Sequence, residues 1–153
     1  MSDEIEYAIN RSSVANIAVH FFRADAAFVP ALSSRVEVSA YAQKLHDRAV
    51  RFEAWLGDEL VGLVASYCNQ PDGGKSFITS VSVLPKFQGL GIASWLMRQC
   101  MDHARSLGFG QIELQVDQHS MPAVALYQKL GFEIVARSGS TFTMGTKLPP
   151  ISA

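Results

Sequence analysis

The stretch Val81-Ser82-Val83-Leu84-Pro85-Lys86-Phe87-Gln88-Gly89-Leu90-Gly91-Ile92-Ala93 constrains this chain more than any other. An alternating apolar run passes through two glycines and enters a segment of helical periodicity. Such a strand–turn–helix junction leaves backbone N–H groups unpaired at the positive end of a helix dipole, where a phosphate or pyrophosphate is favoured. Gly89 and Gly91 let a ligand approach the main chain with no Cβ in the way, and Ala93 keeps the first helical turn slim. Two glycines also make an ordinary tight turn, so the flanking pattern decides. A Walker loop needs Lys-Ser/Thr directly after its last glycine, and Ile92-Ala93 stands there instead. A dinucleotide-binding fold is imitated by Ser94 and Glu113, but it fits poorly a strand that comes late in the chain, after an antiparallel meander.

The surrounding periodicities give the rest of the framework. Residues Ile5 to Ile9 alternate weakly as a first strand. Ser12-Ser13 starts a helix carrying Val14, Ile17, Ala18 and Phe21 on one face. The stretch from Ala24 to Arg35 reads as irregular. A second helix between Val36 and Val50 carries Val38, Tyr41, Ala42, Leu45 and Ala49, with Ser34 or Ser39 as its expected cap. The period then changes. Phe52 to Leu56, Leu60 to Tyr67 and Phe77 to Leu84 read as three antiparallel strands, turned at Gly57-Asp58-Glu59 and Pro71-Asp72-Gly73-Gly74. In the third, Phe77, Thr79, Val81 and Val83 are expected on one face. A long helix from about Ile92 to Ser106 has the stripe Ala93, Leu96, Met97, Cys100, Met101 and Ala104, closed by Gly108 and Gly110. Ile112, Leu114 and Val116 alternate as a strand. As the crossover helix precedes it, this strand is expected to lie parallel to the one before. A short helix from about Pro122 to Leu130 stops at Gly131, and Phe132 to Arg137 with Thr141 to Lys147 form a last hairpin. The expected class is α+β: a mixed, mostly antiparallel sheet of about six to seven strands flanked by about four helices. Residues 1–148 are read as one domain and 149–153 as a loose tail.

Of the 153 residues, 48% are hydrophobic and 18% charged, which excludes a disordered chain. A formal net charge of -1 supplies no basic surplus for non-specific nucleic-acid binding. No apolar run has the length of a membrane span, and the acidic start Met1-Ser2-Asp3-Glu4 lacks the features of a secretory signal, so a cytoplasmic protein is expected. Cys68 and Cys100 sit in separate apolar runs as reduced thiols, and His20, His46, His103 and His119 make no zinc-type pair, so no metal is expected.

Val83-Leu84-Pro85 followed by Gln88-Gly89-Leu90-Gly91-Ile92-Ala93 resembles the acetyl-CoA motif Q/R-x-x-G-x-G/A of the GNAT family of N-acetyltransferases. A second stretch, Ala123-Val124-Ala125-Leu126-Tyr127-Gln128-Lys129-Leu130-Gly131-Phe132, resembles that family's A-x-x-L-Y-x-K-x-G-F. The two are joined by a helix and a strand of fitting length. The resemblance covers about Phe52 to Lys147; the first fifty residues match only by helix pattern.

The resemblance implies a sheet whose central strands splay, and an enzyme that moves an acetyl group from acetyl-CoA directly to a primary amine. It implies that backbone amides of Gln88, Gly89, Gly91, Ile92, Ala93 and Ser94 hold the pyrophosphate, while Val81 and Val83 pair through their backbones with the pantetheine arm. Lys86 and Lys129 are candidates for the adenosine phosphates, with solvated lysines as the alternative. Tyr127 is the implied proton donor to the departing thiolate, and a backbone N–H near Val81 the polariser of the thioester carbonyl. The family's Asn before the second motif is replaced here by Ser120, which can still cap the following helix.

The base for the amine proton is not named by any motif. His119, Glu113, Asp25, Glu37 and Glu53 are the candidates. Phe22 to Lys44 and the last hairpin are expected to shape the acceptor site, with Arg35 placed to hold an acidic group of the acceptor or to make a surface ion pair. A small-molecule amine is expected before a protein, with an amino sugar, an amino acid and a polyamine as the classes the resemblance implies, and a protein lysine or N-terminus stays open as an alternative. Two other readings remain: an acyl-CoA sensor that has lost catalysis, and an ATP- or NAD-binding protein that uses the glycine turn. A homodimer through the apolar hairpin, with Phe142 and Met144, competes with packing of those residues inside one chain.

Overall fold

The computed structural model describes residues 4–25, 28, 31–34, 36–68 and 74–149. The readings for Met1 to Asp3, Arg35, Pro71-Asp72-Gly73 and the last four residues lie outside that set. Among the described residues the order is β1 (Glu6–Ile9), α1 (Val14–Ala24), α2 (Val38–Arg48), β2 (Val50–Leu56), β3 (Glu59–Tyr67), β4 (Lys75–Val83), α3 (Ile92–Ser106), β5 (Gln111–Asp117), α4 (Met121–Lys129), β6 (Glu133–Ser138) and β7 (Thr141–Lys147). Single 3-10 turns sit at Leu32–Ser34 and Pro85–Phe87.

The seven strands form one sheet in the order β1-β2-β3-β4-β5-β7-β6. Every neighbouring pair is antiparallel except β4 and β5, which run parallel across the α3 crossover. This is the expected mixed, mostly antiparallel α+β architecture. Each face carries its own apolar layer. On one, Ile17 and Phe21 of α1 and Ala42 and Leu45 of α2 pack on Leu63 and Ala65 of β3. On the other, Leu96, Met97 and Cys100 of α3 pack on Phe52, Val61 and Val64. Met144 is completely buried in this second layer and Phe142 packs against it, so packing within one chain accounts for both.

Local chemistry sets the helix ends. Ser13 caps α1 in a reciprocal box with Asn16: each side chain accepts from the other residue's N–H, at 3.1 and 2.9 Å. The cap of α2 is Glu37, not Ser34 or Ser39; its carboxylate takes the Ser39 and Ala40 N–H groups. α4 starts one residue earlier than expected, and Ser120 stands at its cap position without a capping side-chain hydrogen bond. Cys68 and Cys100 are free thiols, and burial pushes the Cys100 thiol up to about 12. Among the described residues, no helix is long and apolar enough to cross a membrane.

Candidate active site

The glycine turn is a cradle of main-chain donors. After the Pro85–Phe87 turn, Gln88 is extended, and Gly89 and Gly91 both take φ +81°, with Gly91 at the N-cap of α3. The left-handed conformation is costly for any residue with a Cβ. The first backbone bond of α3 runs from the Trp95 N–H to the Gly91 carbonyl (3.0 Å), which leaves the Ile92, Ala93 and Ser94 N–H groups pointing out of the helix start. No acidic side chain opposes an anion in that first turn. A Cβ built on Gly89 or Gly91 would meet nothing within 4 Å, so the turn faces open space. That space is a cleft of about 600 Å³. Its walls are largely apolar, from Val83, Phe87, Ile92, Pro122 and Leu126 among others. The residues named from the sequence for the pyrophosphate and the pantetheine arm all line it, Val81, Val83, Gln88, Gly89, Gly91, Ile92, Ala93 and Ser94, and Tyr127 joins them, whereas Lys86 and Lys129 do not. Lys86 instead lies over the Phe87 ring at 6.0 Å.

The sheet opens beside this cleft. Ala65 pairs with Ser80, but Ser66 pairs with Ile78, so Thr79 is an extra residue in β4 and forms a bulge. This breaks the alternation expected from Phe77 to Val83. Pairing of β4 with β5 stops at Ile78, while β5 continues along β7 as far as Asp117. The Leu84 N–H donates to the Val61 carbonyl (2.9 Å). Hydrogen-bonded pairs alternate in an antiparallel ladder. Ser80, Ser82 and Leu84 therefore turn their backbone groups to β3, and Val81 and Val83 turn theirs to the open side. The Gln88 side-chain amide donates to the Val83 carbonyl at 3.1 Å. From α2, the Tyr41 hydroxyl donates to the Thr79 carbonyl (2.9 Å) and accepts from its hydroxyl (2.7 Å), which pins the bulge.

A second cleft of about 410 Å³ occupies the splay, lined by polar groups of β4, β5 and the β6–β7 turn. Phe28, Val81, Ser120, Ala123 and Tyr127 line both clefts, so the two meet there.

The seat of Tyr127 explains its surrounding motif. Gly131 has φ +100° just past the end of α4. This lets the Phe132 N–H donate to the Tyr127 carbonyl (2.9 Å) and the Gly131 N–H to the Gln128 carbonyl (3.0 Å). The Phe132 and Tyr127 rings then pack with centroids 6.1 Å apart. The terminating glycine thus fixes the tyrosine at the seam. Tyr127 is 6% exposed, and its hydroxyl has no hydrogen-bond partner among the described residues. Burial raises its pKa above the ordinary tyrosine value, so it is a neutral phenol.

The candidate bases separate cleanly. Glu53 is completely buried, accepts from the Arg11 and Ser12 N–H groups and from the Trp55 indole, and lies beside Arg51. It ties β2 to the start of α1. Glu37 is the α2 cap, and Asp25 takes the Ser33 N–H (2.7 Å) and hydroxyl (2.8 Å), which hold its pKa down. Glu113 pairs with Lys75 at 3.0 Å and lines a different cavity with Gly131 and Lys147. His119 lines the glycine-turn cleft. Its backbone N–H (2.8 Å) and Nδ1 (2.9 Å) both meet Asp117 Oδ1, and Ser140 donates to Oδ2 (3.1 Å). The Asp117 carboxyl is held below its usual range, first by the His119 backbone N–H. With Nδ1–H donating to a carboxylate, Nε2 is the basic nitrogen.

Sequence reasoning missed Asp117, Thr79 and Tyr41. Asp117-Gln118-His119 at a strand end was a usable signal for the first; nothing local marked the other two. It also passed over His20, which is 1% exposed. Its Nδ1–H donates to the Leu60 carbonyl (2.8 Å), and Nε2 accepts from the Ser82 hydroxyl (2.7 Å). Burial lowers its pKa to about 4.

A model of the acetyltransferase (GNAT) family matches residues 14–132. A mycothiol acetyltransferase of Geodermatophilus obscurus is 37% identical over 95 residues, covering 60% of this chain and 31% of that protein. An uncharacterized N-acetyltransferase of Bacillus subtilis, YvbK, is 31% identical over 90 residues, covering 59% and 57%. The chain thus spans about a third and somewhat over half of these relatives' lengths. The PaiA N-acetyltransferase of Thermoplasma acidophilum, solved in complex with coenzyme A, superposes with TM-score 0.71 at 14% identity, covering 93% of this chain and 99% of that one. At that identity the likeness shows the fold.

Proposed function

This chain belongs to the acetyltransferase (GNAT) family, and on that premise we propose that it transfers the acetyl group of acetyl-CoA to a primary amine. The observation that carries the reading is the meeting of two clefts at Tyr127, one lined by main-chain donors and one by polar side chains. The pyrophosphate lies on the amides of Gly89, Gly91, Ile92, Ala93 and Ser94, with Gln88 bracing the turn. The pantetheine arm follows the open edge of β4, against the outward backbone groups of Val81 and Val83. The thioester then sits at the seam, and the acceptor, a small-molecule amine, enters from the splay.

The amine must first lose a proton, and His119 Nε2 takes it, with Asp117 holding the ring and stabilising the imidazolium. The amine nitrogen attacks the thioester carbonyl, and a backbone N–H near Val81 stabilises the oxyanion. As the C–S bond breaks, the Tyr127 hydroxyl gives its proton to the sulfur, and the phenolate so formed takes the second proton that the new amide nitrogen sheds. A phenol kept neutral by burial suits a donor and not a base.

The direct test is a thermal unfolding scan with acetyl-CoA, ATP and NAD in separate wells. Saturation at ~100 times Kd adds about 2.7 kcal/mol, and each kcal/mol raises the midpoint by roughly 2–4 °C for a chain of this size. A rise of several degrees with acetyl-CoA alone is expected. A rise with ATP or NAD and none with acetyl-CoA overturns the reading.

A further inference from the structure

The splay cleft has a definite chemical character. Its volume of about 410 Å³ lies near the low end of the ~300–1,000 Å³ of small-molecule pockets. Side chains with hydroxyl or amide groups line it from two directions, Gln115 on β5 and Ser140 and Thr141 at the β6–β7 turn, and Ser80 of β4 also lines it with its hydroxyl closed to solvent. Ser80 is 6% exposed, and its buried hydroxyl has no partner among the described residues. Thr79, by contrast, is already engaged by Tyr41.

One lining carboxylate gives the cleft its charge. Asp117 Oδ1 receives two hydrogen bonds from His119, and Oδ2 receives one from Ser140. Each carboxylate oxygen offers two lone-pair positions, so Oδ2 keeps one acceptor position. The existing donors hold the group ionised. A cation brought beside it is attracted in a partly desolvated setting, and an anion is repelled.

Resting on the acetyltransferase reading, we infer that the acceptor is a small, hydroxyl-bearing primary amine without an acidic group, of amino-sugar chemistry, whose ammonium is received by Asp117 and whose hydroxyls bond to the Gln115 and Thr141 walls. An α-amino acid would bring its carboxylate towards Asp117. A polyamine would bring two or more ammonium groups to a lining whose one carboxylate is Asp117. Of the small-molecule classes left open above, the amino sugar is the one that matches these walls.

The test is coenzyme A release by the full chain with saturating acetyl-CoA and four probes: D-glucosamine, L-lysine, spermidine and the tripeptide Ala-Gly-Ala. The expected result is a kcat/KM for glucosamine at least tenfold above each of the others. An equal or better rate with any other probe overturns the inference, and so does no transfer to glucosamine. Asp117→Asn is expected to raise the glucosamine KM about tenfold while the acetyl-CoA-induced thermal shift, which also reports folding, is retained. An unchanged KM overturns the role of Asp117. The same thermal shift separates the two levels of argument. If acetyl-CoA fails to stabilise the parent protein, the acetyltransferase reading falls; if it stabilises and the probe order is wrong, only the acceptor class falls.

Discussion

The two clefts that meet at Tyr127 are built by different means. The larger is made by main chain: the N–H groups after two left-handed glycines and the outward edge of β4. The smaller is made by side chains carried on β4, β5, α4 and a hairpin turn far apart in sequence. A main-chain site tolerates many side chains but fixes the backbone conformation. A side-chain site reverses this: its scaffold can be kept while its selectivity changes residue by residue. Substitutions in the two clefts should therefore have separable effects, on acetyl-CoA affinity in one case and on the acceptor in the other.

The seam should show the largest effect. Tyr127→Phe keeps the ring in its place against Phe132 and removes only the hydroxyl. Turnover is expected to fall ~10²–10⁴-fold, the usual contribution of a positioned proton donor, while the acetyl-CoA Kd stays within about twofold. Because burial holds the phenol protonated above its ordinary value near 10, Tyr127 should give the rate no alkaline limb below that pH. A parallel loss in turnover and in acetyl-CoA affinity would mean that the clefts are not separable at Tyr127.

Acid tests the support behind β4. His20 has a folded pKa lowered to about 4 from 6.5. Between those values the unfolded chain binds a proton that the folded one refuses, so stability is complete above about pH 6.5 and falls as the pH drops towards 4. The loss is roughly 3 kcal/mol at most, since each tenfold difference in proton affinity between the two states is worth about 1.4 kcal/mol. Urea unfolding at pH 7 and pH 4.5 should show it, and His20→Gln should remove this component of the pH dependence. Ser82, bonded to His20, lines only the cofactor cleft of the two, so acetyl-CoA binding should weaken with acid before any change in acceptor preference.

The glycine turn should respond more modestly. Gly91→Val places a Cβ in open space, but its left-handed backbone then costs about 1–2 kcal/mol. Relief of that strain moves the amides away from the ligand. Isothermal titration should show acetyl-CoA binding weakened by about tenfold, with the acceptor KM unchanged at saturating acetyl-CoA. An altered acceptor KM would break the comparison from the cofactor side.

The same contrast explains what was legible in the sequence. Gln88 to Ser94 form one contiguous run whose turn Gly89 and Gly91 mark, while its reading as a cofactor cradle came from the resemblance and not from the two glycines alone. Tyr127 was likewise singled out by the motif it shares with the family, in which Gly131 ends the helix that carries it. The β2-β3-β4 meander, the parallel β4–β5 pair and the last hairpin followed from strand periodicity and the α3 crossover, whereas the place of β7 between β5 and β6 did not. Thr79 was misjudged because a bulge inserts one residue without altering the apolar pattern around it. Tyr41 looked like one more member of an apolar helix face, and its hydroxyl finds Thr79 only through packing of α2 on the sheet. Glu53 looked like a free carboxylate because its donors, Arg11, Ser12 and Trp55, are gathered by the pairing of β1 with β2. Asp117 acquires its role from Ser140, which a hairpin brings back to the end of β5.

The Tyr41–Thr79 bond gives the smallest effect and the most selective test. Tyr41→Phe keeps the stacking on Phe21, whose ring centroid lies 5.4 Å away, and removes the hydroxyl that pins the bulge. One such hydrogen bond contributes about 1 kcal/mol, so the unfolding midpoint should fall by roughly 2–4 °C. Thr79 lines the splay cleft and not the glycine-turn cleft. The acetyl-CoA Kd should therefore hold within about twofold while the acceptor KM rises by a few-fold, on the order of 1 kcal/mol or less. If the Kd moves as much as the KM, the bulge positions the pantetheine edge of β4 as well as the acceptor wall. The main-chain site would then depend on a side chain from the front of the chain.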